Sequence, residues 1–126
     1  MQNHGLKLKA VSGLAVAALI VALTILIWRP REAADSAPLE AFARCLTDKG
    51  AVMYGAYWCS HCQNEKKAFG KSFEFINYVE CTEKPDLCTA ASIAGYPTWI
   101  FPDGRRLEGE QGLKRLAEAS GCALPN

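Results

Sequence analysis

No surplus of either charge marks this chain of 126 residues: 14 Lys and Arg stand against 13 Asp and Glu, leaving +1. A balanced chain without a basic stripe has no electrostatic hold on a phosphate backbone, so no nucleic-acid partner is expected. Internal repeats and low-complexity tracts are absent as well. That leaves one small domain plus an accessory segment as the reading of the length. A second C-x-x-C pair is also missing, and structural zinc usually needs two; no metal is expected.

Charge is lacking altogether from Ala10 to Trp28, where Leu, Ile, Val and Ala dominate. At about 1.5 Å per residue a helix of that length spans roughly 28 Å, close to the bilayer core. Trp28 would sit at the headgroup level. A cleaved signal peptide is the competing reading. Its apolar stretch would be about 7–15 residues, shorter than this one. Its cleavage spacing is also poor, since Glu32 precedes Ala34 and Asp35 precedes Ala37. The expected organisation is a short cytoplasmic start (1–9), a single-pass transmembrane anchor (10–28) held in membrane lipid, a polar linker (29–37) and a soluble domain (38–126).

What is abundant is cysteine. Cys45, Cys59, Cys62, Cys81, Cys88 and Cys122 all follow the apolar block. An even number confined to one side of a membrane segment suggests an oxidising compartment. Lys7 and Lys9 before the span nearly balance Arg29 and Arg31 after it, so flanking charge barely orients it. Cysteine usage places the domain in the periplasm or another extracytoplasmic space. The alternative is a cytosolic domain with buried free thiols.

Pro38 is expected to open a helix with Leu39, Phe42, Ala43 and Leu46 on one buried face, stopped by Gly50. A strand over 51–57 follows, then a helix through Gln63 to Ala68, ended or bent by Gly70. A strand is expected over 75–80, a loop over 81–86 and a short helix over 87–93. A hairpin takes 98–101 and 106–108 around the turn 102–105. Leu113, Leu116, Ala117 and Ser120 mark a last helix before Gly121. This order predicts an α/β fold with one small sheet covered by helices.

Between the first strand and its helix stands Trp58-Cys59-Ser60-His61-Cys62. Two cysteines at this spacing can close a disulfide in the first turn of a helix. The first sulfur then lies near free backbone N–H groups and the positive end of the helix dipole, which favour thiolate, the nucleophile of disulfide exchange. Cys59 is assigned as the attacking, exposed sulfur and Cys62 as the deeper, resolving one. His61 is a candidate for further stabilising the Cys59 thiolate, against the reading of an exposed histidine with no role. Trp58 either shields the site or packs beneath the loop. Such exchange needs no cofactor, and none is expected.

Strand, Trp-Cys-x-x-Cys, helix and a later Tyr96-Pro97-Thr98 before a strand resemble the thioredoxin superfamily. More narrowly, Phe42-Ala43-Arg44-Cys45-Leu46, Met53 through Cys59, His61-Cys62, Tyr78-Val79-Glu80-Cys81 and Gly95 through Trp99 resemble the thioredoxin-like domain fused to bacterial vitamin K epoxide reductase homologues. The likeness runs from about Leu39 to Gly121. It implies a thioredoxin-like sheet, a cis bond at Pro97 beside Cys59 and Cys62, and a vitamin K epoxide reductase-like membrane protein as redox partner, here on a separate chain. Two departures stand out. Met53 occupies the position of the buried Asp of ordinary thioredoxins, and Ser60 that of a frequent Pro.

The remaining cysteines are expected to pair as Cys45–Cys122, between the first and last helices, and Cys81–Cys88, across a loop. Against this stand buried thiols, or a Cys81–Cys88 pair that relays electrons to Cys59 and Cys62. Trp99, Tyr96 and the Pro97 loop are expected to offer an apolar contact surface for an unfolded substrate; the alternative for Trp99 is a place in the strand core. The function these readings favour is a membrane-anchored thiol–disulfide oxidoreductase acting on secreted or periplasmic cysteine-containing proteins. The alternatives are a reductase or isomerase, and a membrane-tethered binding module with structural disulfides or zinc.

Overall fold

The computed structural model describes the backbone of residues 4–27 and 32–125, with side chains described for 13–25 and 38–125. The chain divides into two units, Met1–Glu32 and Ala33–Asn126. The first contains one helix, α1 (His4–Ile27). Its described side chains, 13–25, are all exposed. Among the described residues no helix is long and apolar enough to cross a membrane. The expected span, 10–28, runs past those side chains at both ends, and residues 28–31 of the expected anchor and linker lie outside the described residues.

The helix expected to open at Pro38 starts instead at Glu32. Helix α2 (Glu32–Asp48) carries Pro38 in its interior. Ala33, Ala34 and Ala37 are strong helix formers. Their propensity carries the helix through a proline that removes one bond of the ladder. The expected linker, 29–37, is thus helical from Glu32 onwards. Phe42, Ala43 and Leu46 form the buried face. Gly50 then turns the chain with φ 75°. A Cβ there would lie 2.7 Å from Pro102 Cγ, so the turn needs glycine for space as well as for conformation.

The sheet has four strands, β1 (Val52–Gly55), β2 (Tyr78–Glu80), β3 (Thr98–Ile100) and β4 (Arg106–Glu108). Their order is β2-β1-β3-β4. β1 and β2 run parallel, with Met53 opposite Tyr78 and Gly55 opposite Glu80. β3 is antiparallel to both β1 and β4. A parallel pair needs a crossover, supplied here by α3 (Ser60–Phe69) and a 3-10 helix over Gly70–Phe75.

That 3-10 helix takes the start of the strand expected over 75–80. Thr47 holds the chain there. Its hydroxyl donates to the Phe75 carbonyl at 2.6 Å and accepts the Asn77 N–H at 3.2 Å, capturing groups a longer strand would pair. Helix α4 (Pro85–Ala90) begins two residues before its expected start, with Pro85 in its first turn, where a missing N–H costs nothing. Helix α5 (Gly112–Ser120) closes the fold.

The core gathers around Phe69. Phe42 stacks on it at 5.9 Å and Trp99 tilts against it at 6.1 Å between ring centroids. Of the two readings of Trp99, contact surface and strand core, the structure shows the second, with the ring 0 % exposed. The reason is its place on β3, an inner strand of the sheet, opposite the equally buried Met53. Each such ring contributes about 2–3 kcal/mol by leaving water. Two disulfides staple this small core. Cys45–Cys122 ties α2 to the segment after α5, and Cys81–Cys88 ties the end of β2 to α4.

Candidate active site

Cys59 is the N-cap of α3, with extended backbone angles of −75° and 116°. Its Sγ accepts the N–H of Cys62 at 3.1 Å. A sulfur here takes the place usually held by a Ser or Asp oxygen, satisfying a donor that the helix leaves free.

The Cys59 sulfur, expected to be exposed, is buried instead, because as the N-cap of α3 it turns in towards the Cys62 N–H. Cys59 is 7 % exposed and Cys62 0 %. The order of the two stands, but both belong to the core cluster. Neither is in a disulfide. Burial, then the hydrogen bond to Cys59, pushes the Cys62 thiol up to about 12.

Cys59 opens into a groove of about 460 Å³ lined by Trp58, Ser60, His61, Ala94, Gly95 and Tyr96. Trp58 is exposed rather than packed beneath the loop. Its ring meets the Tyr96 ring edge-on at 5.9 Å. Tyr96–Pro97 is a cis peptide. Pro97 is buried, and its carbonyl accepts the Gly109 N–H at 2.8 Å. Thr98 Oγ1 donates to the Gly95 carbonyl at 2.8 Å. The loop facing Cys59 is thereby pinned on both sides of the proline. A neighbouring cavity of about 480 Å³ is lined by His61, Gly109, Glu110, Gln111 and Gly112. It lacks a reactive sulfur, so the slightly smaller groove is the one that matters for chemistry.

His61 was a candidate partner for Cys59. Its Nδ1 lies 2.9 Å from Glu110 Oε2, and Asn64 Nδ2 donates to the same oxygen at 3.2 Å. These two hydrogen bonds, His61 first, hold the exposed Glu110 carboxyl below its usual range. The imidazole is therefore tied to the loop before α5.

Three acidic or phenolic groups of the site carry no role that the sequence alone suggests, although Tyr78 and Glu80 stand in one of the motifs of the resemblance. Glu65 is fully buried one turn beyond Cys62. Its carboxylate accepts the N–H of Gln111 at 2.7 Å and of Gly112 at 3.1 Å. Burial outweighs those bonds and raises its pKa above the ordinary value. Tyr78 donates its phenol to Glu80 Oε2 at 2.6 Å. Glu80 Oε1 accepts from the Tyr57 N–H at 3.1 Å and the Thr82 hydroxyl at 2.8 Å. Partial burial opposes ionisation of Glu80, but the bonds from Tyr78, Thr82 and Tyr57 outweigh it and hold the carboxyl below its usual range. Burial, then the bond to Glu80, raises the Tyr78 phenol. The available signal for Tyr78 and Glu80 was their spacing of two on a strand, which puts both side chains on one face. For Glu65 it was the Cys62-x-x-Glu65 spacing of one helical turn.

Among the described residues no group of three or more His, Cys, Asp or Glu side chains is placed to hold a metal. The arrangement offers two sulfurs at a helix start, an apolar groove over one of them and acid–base groups beside the other. That set can attack, hold and release a disulfide.

The Thioredoxin family model matches residues 38–120. Thiol-disulfide oxidoreductase LTO1 of Arabidopsis thaliana is 41 % identical over 107 residues, covering 77 % of this chain and 28 % of that protein. Protein disulfide isomerase-like 2-2 of Oryza sativa subsp. japonica is 36 % identical over 86 residues, covering 56 % of this chain and 23 % of that protein. The chain thus spans about a quarter of the length of these curated relatives. The crystal structure of mitochondrial thioredoxin 3 from Saccharomyces cerevisiae, in its oxidized form, is 20 % identical with a TM-score of 0.37, covering 57 % of this chain and 74 % of that one. That likeness is too loose to add to the assignment.

Proposed function

This chain belongs to the thioredoxin family of thiol–disulfide oxidoreductases, and we propose that it exchanges disulfides, through Cys59 and Cys62, between secreted or periplasmic proteins and a vitamin K epoxide reductase-like membrane protein. The observation that carries this reading is the Cys59 sulfur at the N-cap of α3, bonded to the Cys62 N–H and opening on the groove beside Tyr96. The Cys59 thiolate attacks a disulfide sulfur and forms a mixed disulfide. Cys62 then attacks Cys59, and the captured sulfur leaves as thiolate. In the oxidising direction the same steps run backwards. Trp58, Ser60, His61 and Tyr96 line the groove over the reacting sulfur, and the buried Pro97 supports the loop that carries Tyr96.

The apolar segment 10–28 is the proposed single-pass anchor, holding the domain in an extracytoplasmic space. Its support is the uncharged run in the sequence, long enough for a bilayer core. The partner on a separate chain is supported by the sequence motifs resembling the fused domain. Fractionating cells and washing membranes with alkaline carbonate tests the anchor, and release of the chain into the wash refutes it.

The deciding experiment for function is a trap. A Cys62→Ala variant accumulates mixed disulfides through Cys59, whose captured proteins include secreted substrates and the membrane partner. No accumulation, in a folded variant whose Cys59 is accessible, overturns the enzyme reading. The likeness to protein disulfide isomerase-like 2-2 favours a second reading, in which electrons flow towards the substrate. A reduction potential near the −270 mV or so of thioredoxin would support that direction over oxidation.

A further inference from the structure

Resolution of a mixed disulfide requires Cys62 to lose its proton, yet Cys62 is fully buried. Burial pushes its thiol up to about 12. The strand beneath it offers no acceptor, because β1 presents Met53 and Gly55. On α3, Glu65 is engaged with the N-terminus of α5. Lys66, which acts on Cys62 electrostatically, is a cation and accepts no proton. Its Nζ lies 3.8 Å from the centre of the Tyr78 ring.

The backbone of Ala56 also bonds Cys62, but that bond favours the thiolate and takes no proton. The remaining titratable neighbour is on β2. A Cβ built on Gly55 would lie 3.0 Å from Cys62 Sγ and 3.1 Å from the Tyr78 phenolic oxygen. Both atoms therefore border the one small space that glycine leaves open between α3 and the sheet. Tyr78 in turn donates to Glu80, which lies opposite Gly55 in the parallel pair. Glu80 is only half-buried, so the chain of groups runs from the buried sulfur to solvent.

We infer that Tyr78 and Glu80 are the proton-accepting pair for Cys62 during resolution of the mixed disulfide, an inference that rests on the oxidoreductase function proposed above. In that step the Cys62 S–H bond breaks and a Cys62–Cys59 S–S bond forms. The bond between Cys59 and the substrate sulfur breaks, and its electron pair leaves with the substrate as thiolate. The proton moves to the Tyr78 oxygen while the phenolic proton passes to Glu80 Oε2, so the phenol never carries a charge. Glu80 then releases the proton to water or to the departing thiolate. Cys59 and Cys62 together lose two electrons, and the substrate disulfide gains them. In the oxidising direction the pair returns the proton to Cys62 as it leaves.

The groups that set the pH response of this step are Cys59 at the N-cap of α3, Lys66 within α3, and Tyr78 and Glu80 on β2. Glu80 holds its ionised form through Tyr78, Thr82 and the Tyr57 N–H. Deprotonated and bonded to the phenol, it is ready to accept at neutral pH.

The test uses the full reduced chain and dithiobis(nitrobenzoate) in a stopped-flow instrument. Release of the first chromophore reports Cys59 attack, and release of the second reports resolution by Cys62. Glu80→Gln is expected to slow the second phase about a hundredfold at neutral pH, at the low end of general-base effects. Its pH midpoint moves upward while the first phase keeps its rate. Tyr78→Phe is expected to do the same, and if it fails to fold, Glu80→Gln decides alone. A second phase with wild-type rate and pH profile overturns the inference. So does a slowed second phase with an unmoved midpoint, which marks a structural role only. Loss of the fast first phase in the wild type would instead overturn the oxidoreductase function, and the proton-accepting role with it.

Discussion

Glu65 and Gln111 join the second half of the active-site helix to the start of the last one: the buried carboxylate of α3 accepts the Gln111 N–H at 2.7 Å, and the Gly112 N–H at 3.1 Å as well. A helix begins with unpaired donors, and here two of them, half-buried, meet a buried carboxylate instead of water. Glu65→Ala leaves both donors without a partner and opens a gap in the core. It is expected to cost about 2–4 kcal/mol. Urea unfolding of the two proteins gives the value, and a loss well below that range would mean that solvent reaches the α5 terminus.

The same carboxylate makes a pH prediction. Burial raises the Glu65 pKa above the ordinary 4.5, the two backbone bonds notwithstanding. The folded protein then keeps a proton that the unfolded chain has released. By linkage, the Glu65 contribution to stability falls as pH rises through the window above 4.5. Glu65→Gln removes the titration. The stability of the wild type relative to Glu65→Gln is therefore expected to decline from pH 4.5 upward, by urea unfolding at a series of pH values. A difference that stays flat or rises would reverse the sign.

The two disulfides close loops of very different length. Cys45 and Cys122 are 77 residues apart, and Cys81 and Cys88 only 7. In the chain-entropy model these closures differ, at about 4–5 kcal/mol for the long loop and about 2 kcal/mol for the short one. Replacing each pair with serines separately, leaving Cys59 and Cys62 intact, is expected to give that ranking in denaturant midpoints. A larger loss from the short loop would show that Cys81–Cys88 supports the end of β2 beyond its entropic share.

Much of the architecture was legible because local signals agreed with one another. The Pro102–Arg105 turn, the apolar spacing of Leu113, Leu116 and Ala117, and Gly121 at the end of α5 each follow from side-chain chemistry in a short window. What was not legible depended on distant groups. The strand over 75–80 shortens because Thr47, on another helix, binds the Phe75 carbonyl. His61 is drawn to Glu110 across 49 residues of sequence, which no reading of the motif alone reveals. Glu65 lies on a highly charged helix, and its burial depends on α5, whose first N–H groups bind its carboxylate. Tyr78 and Glu80 share a face by period two, but only the register with β1 brings that face to Gly55. Pro38 misled by marking a helix start, whereas the alanines before it carry the helix through.

Trp58 makes its prediction at the rim of the groove. It is 60 % exposed and touches Tyr96 edge-on. An exposed aromatic ring beside a reactive sulfur is an anchor for an apolar substrate segment, since truncating such rings costs binding more than stability. Trp58→Ala is expected to raise KM for a cysteine-containing peptide about tenfold, or roughly 1.4 kcal/mol. The unfolding midpoint should hardly move. An unchanged KM would assign substrate contact to other residues.

Gly55 makes the last prediction, because its missing side chain sets the spacing between Cys62 and β2. A Cβ there would meet Cys62 Sγ at 3.0 Å and two atoms of Tyr78 at 3.1 Å. None of these is the free end of a flexible chain. The sulfur is buried at the base of α3, and the Tyr78 oxygen is held by Glu80. Gly55→Ala must therefore push the helix from the sheet or swing the phenol away from Cys62. Overpacking of this kind costs about 1–3 kcal/mol. Thermal unfolding should report that loss, and the second phase of thiol release should slow while Cys59 attack persists. If stability and both phases are unchanged, the space between Cys62 and Tyr78 is wider than the contacts indicate, and direct proton passage across it is ruled out.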